Sequence, residues 1–315
     1  MNINKENKIY LVIIGILILC VLFLSLKEYV FNNKYSFLSP NVSTIDKEDL
    51  LINFKSLENY LANKYKENDN YLVSIYFEYI PTGANFSLNK DKKIWPASLI
   101  KVPFSMAIMK KIENGILNMD DILIIDDSNR DSKYGTLYLK PNGTEFSIKD
   151  LLRETLVNSD NTAYSMLVKK LQMKDIENIY NHLGLDEVVE FMKNVPSGEE
   201  ADISITAKRY TTFFRSLYNS TYLTPENSNY FLSLLKDAPC CYLCKPIPQE
   251  IEFIHKFGIH EEKNVYTDSG IVYIPERPYL LTVMIQGKKP LSESKVNKIF
   301  EDISKSIFEF VYTAK

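Results

Sequence analysis

Histidine and cysteine are scarce in this chain, with three His and four Cys among 315 residues. So few soft or imidazole ligands leave little material for an elaborate metal site. An excess of one charge sign is also missing: 37 Lys and Arg stand against 40 Asp and Glu, a net −3. No basic surplus points to nucleic acid. Glycine and proline are modest at 10 and 13, which excludes a collagen-like, low-complexity or wholly disordered chain. What remains is 45% hydrophobic and 24% charged. That is enough to bury the core of one large domain or two smaller ones.

One long hydrophobic run stands apart. Lys5 and Lys8 precede Tyr10 to Leu26, a stretch without a single charge. A membrane-spanning helix needs roughly 17–25 such residues. No small-residue cleavage site follows, since the chain continues Lys27-Glu28-Tyr29-Val30. Leu19 before Cys20 likewise gives no lipoprotein signal. The expectation is an uncleaved signal anchor with the folded part outside the membrane. Residues 1–8 would be cytoplasmic, 9–26 transmembrane, 27–48 a linker and 49–315 an extracytoplasmic domain.

Of the cysteines, Cys20 falls in that run, while Cys240, Cys241 and Cys244 cluster in Pro239-Cys240-Cys241-Tyr242-Leu243-Cys244. Three is an odd number, so one disulfide plus a free thiol, or an intermolecular link, would satisfy them. The pairing stays open. His255 and His260 lie nearby, but no second Cys or His pair has ligand spacing, so no metal is expected.

The folded part mixes periodicities. Apolar residues recur at helical spacing over 49–67, and Tyr71 to Ile80 is β-branched and aromatic. Pro81-Thr82-Gly83 then turns into Asn85-Phe86-Ser87-Leu88, a hairpin. A helix is expected over Ala97–Leu117, with Pro103 inside it at a cost. The helical pattern continues through 148–157, 162–171, 176–183, 206–218 and 225–235. Strands return at 252–258, 264–274 and 279–286, and a last helix spans 292–311. The plan is α+β: a five-stranded antiparallel sheet covered by the N- and C-terminal helices, with a helical subdomain over about 98–246. A cleft should separate the two parts.

Three short motifs carry chemistry. Ser98-Leu99-Ile100-Lys101 puts an amine within reach of a hydroxyl, because residues three apart share a helix face. Ser292-Glu293-Ser294-Lys295 has the same form, but on a solvated helix. Ser98 differs in context: Trp95-Pro96-Ala97 precede it, and Ile100, Val102, Phe104 and Met106 follow. Lys101 should therefore be buried, and a buried lysine binds its proton weakly enough to act as a base. Ser159-Asp160-Asn161 lies between two helices and by itself is an ordinary N-cap. Lys256-Phe257-Gly258 sits in a late strand and alone signifies nothing.

In this order and at these gaps, the three motifs resemble those of the penicillin-recognising serine enzymes, class A β-lactamases in particular. The segments 133–144 and 267–273 add to the likeness, which covers about residues 50–313. The resemblance implies the β-lactamase/D,D-peptidase fold and a serine hydrolase that opens amide bonds through an acyl-enzyme. It implies Ser98 as nucleophile, Lys101 as proton acceptor and Ser159 as relay to the leaving nitrogen. Asn161 would hold the substrate amide, and Lys256 would attract its carboxylate and help keep Lys101 neutral. Gly258 would admit the ligand, and the N–H groups of Ser98 and Ile259 would form the oxyanion hole. No cofactor is implied.

Two departures stand out. Phe257 occupies the place of the family's hydroxyl residue, and the water-activating Glu-x-x-x-Asn element has no clear match. Glu190 with Asn194 is the one pair of that spacing in the right region, and Glu199 and Glu200 follow. Val188 to Lys193 has the look of a short strand with Glu190 solvated, so slow deacylation is expected. The expected partners are a small-molecule β-lactam or a peptidoglycan peptide, and the membrane. Three readings remain: a β-lactamase-type hydrolase, a D,D-peptidase-like enzyme, or a non-hydrolytic β-lactam-binding module. The residues leave the oligomeric state open.

Overall fold

The computed structural model describes residues 5–34, 52–193 and 203–314. The chain divides into two compact units, residues 1–51 and 52–315. In the first, helix α1 runs Lys5–Lys34, into what was expected to be linker. Its described side chains include exposed Leu11, Leu17, Leu19 and Phe23. Among the described residues, no helix is long and apolar enough to cross a membrane. The anchor expected over 9–26 is therefore no part of what the fold establishes.

The second unit is built on the five-stranded sheet β2-β1-β7-β6-β5. Its strands are β1 (Tyr71–Tyr79), β2 (Ala84–Leu88), β5 (Phe253–His260), β6 (Val265–Val272) and β7 (Tyr279–Gly287), all antiparallel to their neighbours. Alternation along β1 assigns the faces. Val73, Ile75, Phe77 and Tyr79 enter one core cluster, and Leu72 and Tyr76 the other. The first cluster holds helix α2 (Lys55–Lys64) and the C-terminal helix α10 (Glu293–Thr313) against the sheet through Leu57, Leu61, Ile299 and Phe300.

The second cluster belongs to the helical subdomain: α3 (Lys101–Glu113), α4 (Ile148–Leu156), α5 (Asn161–Val168), α6 (Met173–His182), α7 (Asp186–Lys193), α8 (Ala207–Tyr218) and α9 (Pro225–Lys236). Strand β5 lies at the sheet edge. A small ribbon of β3 (Ile122–Ile124) and β4 (Glu145–Ser147) has no sequence counterpart above.

Two expectations are corrected. Val188 to Lys193 is helix α7, not a strand. Leu185, Val188, Val189 and Met192 recur at helical spacing and are drawn into the core, so tertiary packing outweighs the β preference of paired valines. The single helix expected from Ala97 is a 3₁₀ turn, Ala97–Ile100, followed by α3. Pro103 is the third residue of α3, and its missing N–H would have no partner within that helix. Cys240 is bonded to Cys244, and Cys241 is free and half-buried. Asn194, Glu199 and Glu200 lie outside the described residues.

Candidate active site

The 3₁₀ turn carries Ser98 half-buried on its second residue. Ala97 just before it has φ +50°, a left-handed conformation that costs a non-glycine residue roughly 1 kcal/mol or more. The turn is clamped to the sheet, where Thr267 Oγ1 donates to the Pro96 carbonyl at 3.1 Å and to that of Gly258 at 3.3 Å. Gly258 in β5 faces the turn so closely that a Cβ there would lie 2.7 Å from the Ser98 nitrogen. A side chain at 258 would displace the serine backbone. Tyr210 of α8 donates to the Leu99 carbonyl at 2.9 Å and fixes the other side.

Lys101 opens α3 one turn later and is 2% exposed. Its Nζ lies 3.4 Å from Ser98 Oγ, 3.3 Å from Ser159 Oγ, 2.5 Å from the Ser159 carbonyl and 2.6 Å from Asn161 Oδ1. One amine thus joins the first two motifs. Burial pushes it from 10.5 down to about 7, against the opposing pull of the Asp160 and Asp131 carboxylates. Near neutrality this lysine can therefore take up and release a proton.

Ser159 is buried with φ +54°. Asp160 holds that conformation. Its Oδ1 accepts the Ala163 N–H at 2.9 Å as the cap of α5, and its Oδ2 accepts those of Thr136 and Leu137 at 2.6 and 2.9 Å. Gly135, at φ +99°, passes so near that a Cβ would meet Asp160 Oδ2 at 2.1 Å. In the sequence Asp160 stands only as the middle of a motif. Asp131 carried no signal there, whereas Gly135, Thr136 and Leu137 lie in a segment that the resemblance included.

Lys256 is wholly buried beneath the same site. Its Nζ donates to the Phe257 carbonyl at 3.2 Å and lies 4.8 Å from the Phe257 ring centre. Burial, then repulsion by Lys101, sets its amine well below the ordinary lysine range. The Phe257 ring also packs edge-on against Tyr242 at 6.1 Å in the cluster under α10. Half-buried Ile259 follows.

Glu190 lies exposed on α7, and among the described residues no hydrogen bond joins it to Ser98, Lys101 or Ser159. No group of His, Cys, Asp and Glu among the described residues could hold a metal ion. A cavity of about 490 Å³ between α4 and α9, lined by Lys149, Arg153, Tyr230 and Asp237 among others, shares no residue with this site.

A sequence model of the beta-lactamase enzyme family matches residues 55–311. No curated protein matches the chain. Among solved structures, a β-lactamase from Sphaerobacter thermophilus is similar with a TM-score of 0.71 and 18% identity, over 83% of this chain and 98% of its own. An ancestral class A β-lactamase gives 0.70 and 17%, over 80% and 99%. A PBP-A mutant, solved as an acyl-enzyme complex with penicillin G, gives 0.70 and 17%, over 81% and 95%. At these identities the structures speak for the fold alone.

Proposed function

The chain belongs to the beta-lactamase enzyme family and is a serine β-lactamase-like hydrolase, and from that premise we propose that Ser98 opens amide or β-lactam carbonyls through an acyl-enzyme. The carrying observation is the buried Lys101 amine within hydrogen-bond reach of Ser98 Oγ and Ser159 Oγ. Neutral Lys101 takes the Ser98 proton as Oγ attacks the carbonyl carbon. The Ser98 and Ile259 N–H groups hold the oxyanion. As the C–N bond breaks, the Lys101 proton passes through the Ser159 hydroxyl to the leaving nitrogen. Asn161, already oriented by Lys101 at 2.6 Å, binds the substrate amide.

Deacylation is slow in this reading. Of the two carboxylates that act on the lysine, Asp160 is committed to three backbone N–H groups and Asp131 accepts the Lys133 N–H at 2.8 Å, and no hydrogen bond among the described residues joins Glu190 to the site. None is placed to activate a water against the acyl-enzyme. The same point favours a second reading, a D,D-peptidase-like enzyme that acts on peptidoglycan stem peptides and is trapped by β-lactams. The charge-free run Tyr10 to Leu26, with exposed apolar side chains, supports membrane anchoring with residues 52–315 outside. The catalytic apparatus argues against a module that only binds.

Intact mass after mixing with penicillin G tests the proposal. The wild-type protein should gain the mass of the drug and keep it, and Ser98→Ala should gain nothing. Labelled Ser98→Ala would remove Ser98 as nucleophile, and rapid multiple turnover would overturn slow deacylation. Recovery in the membrane fraction, lost on deletion of residues 1–30, tests the anchor; an unchanged distribution would refute it.

A further inference from the structure

We propose that Tyr164 is a positioning residue for this reaction: its ring closes the side of the Lys101 amine that the surrounding oxygens leave, and so keeps water away from the acyl-enzyme. The inference rests on the acyl-enzyme reading above and assigns the slow release to one side chain.

Residues three apart in a helix share a face. Phe104 stands in that relation to Lys101 in α3, and Tyr164 to Asn161 in α5. Each of these two site residues thus has an aromatic one turn further along its helix. The two aromatics meet edge to face, with ring centres 5.7 Å apart. Phe104 is packed against the core of the helical subdomain, so it braces the tyrosine from behind. Tyr164 is half-buried by its surface, and burial pushes its phenol well above the ordinary range. It therefore stays neutral and is no base in its own right.

Carboxylates are not the only bases available for release. Once its proton has passed to the leaving nitrogen, Lys101 is neutral again, 3.4 Å from the Ser98 Oγ that carries the acyl group. Hydrolysis through it would balance. The water oxygen bonds to the acyl carbon as a water proton goes to the Lys101 amine. The ester C–O bond then breaks, and that proton ends on Ser98 Oγ. What the step needs is a place for the water. Four oxygens already surround the amine: Ser98 Oγ, Ser159 Oγ, the Ser159 carbonyl and Asn161 Oδ1. On a further side lies the Tyr164 ring, its centre 5.8 Å from Nζ. A water on that line needs about 2.7–3.2 Å to the nitrogen and roughly 3.5 Å to the ring atoms, which the gap does not supply. The amine is present, and the room beside it is taken.

The test separates acylation from release. Full-length protein is labelled with penicillin G, freed of excess drug and followed by intact mass until the adduct is lost. Tyr164→Ala should acylate within about threefold of the wild type. It should lose the adduct at least about tenfold faster, because general-base help to a water is typically worth about 10²–10⁴. Tyr164→Phe keeps the ring and should hold the adduct as long as the wild type does. Should Tyr164→Ala not fold, Tyr164→Leu takes its place with the same expectation. Ile303→Ala, a truncation in the other core cluster, controls for loosening alone and should leave the lifetime unchanged. An adduct that lasts as long without the ring as with it would overturn this inference while leaving the acyl-enzyme reading intact. So would equally fast loss in Tyr164→Phe or Ile303→Ala. A wild type that takes up no drug would overturn both.

Discussion

Replacing Lys101 by methionine should flatten the dependence of folding stability on pH. In the unfolded chain this lysine keeps its proton up to about its ordinary value of 10.5, whereas in the fold it releases it near 7. Between those limits the unfolded state binds more protons, so stability rises with pH there and is lowest below pH 7. Each tenfold weakening of proton binding is worth about 1.4 kcal/mol, so burying Lys101 costs up to about 5 kcal/mol at low pH. Going from pH 7 to 9 should return about 2 kcal/mol to the wild type that Lys101→Met does not regain. Removing the amine also relieves the repulsion on Lys256, which flattens the variant further. The substitution strips the Ser159 carbonyl and Asn161 Oδ1 of their donor. That loss, about 1–3 kcal/mol per group, is an offset without pH dependence. Urea unfolding of both proteins at the two pH values separates slope from offset. Slopes that agree within about 0.5 kcal/mol would show that Lys101 is an ordinary lysine and the base assignment unfounded.

Two further outcomes follow from the same amine. Acylation of the wild-type protein by a β-lactam should rise with pH about a midpoint near 7, since only unprotonated Lys101 can accept the Ser98 proton; a stopped-flow profile flat from pH 5.5 to 8.5 would contradict this. Asp160→Asn should move that midpoint down, because the carboxylate opposes the effect of burial, and a midpoint moving up would reverse the electrostatic account. Asp160→Ala should in addition cost at least about 2 kcal/mol, since the buried Leu137 and Ala163 N–H groups and the half-buried one of Thr136 lose their acceptor; thermal melting checks it.

Most of the sheet was legible because its central strands are buried on both faces. Tyr71–Tyr79 and Tyr279–Gly287 are almost wholly buried, so they appear as dense β-branched and aromatic runs bounded by turns. The helix α7 was not legible, because Val188 and Val189 side by side prefer a strand locally, and only the core reached by Leu185 and Met192 decides otherwise. The β3–β4 ribbon escaped for another reason: three residues per strand give too short a window for any period to register. In the site, Ser98 and Lys101 could be named from spacing and Ser159 and Asn161 from the resemblance, and hydrogen bonds to one amine join all four. What spacing could not convey is direction.

Phe257 is the clearest case of that. As a letter it subtracts a hydroxyl from a motif, which says only that a carboxylate would be held less well. In the strand its ring joins Tyr242 and Phe300 in the layer under α10, with the Lys256 amine 4.8 Å from its centre. The residue is thus a packing element, and replacing it by threonine would open a cavity there, at about 3–5 kcal/mol for so large a truncation. Phe257→Thr should therefore melt at a lower temperature than the wild type, by a loss of that size. An unchanged melt would show that the ring does not hold that layer together.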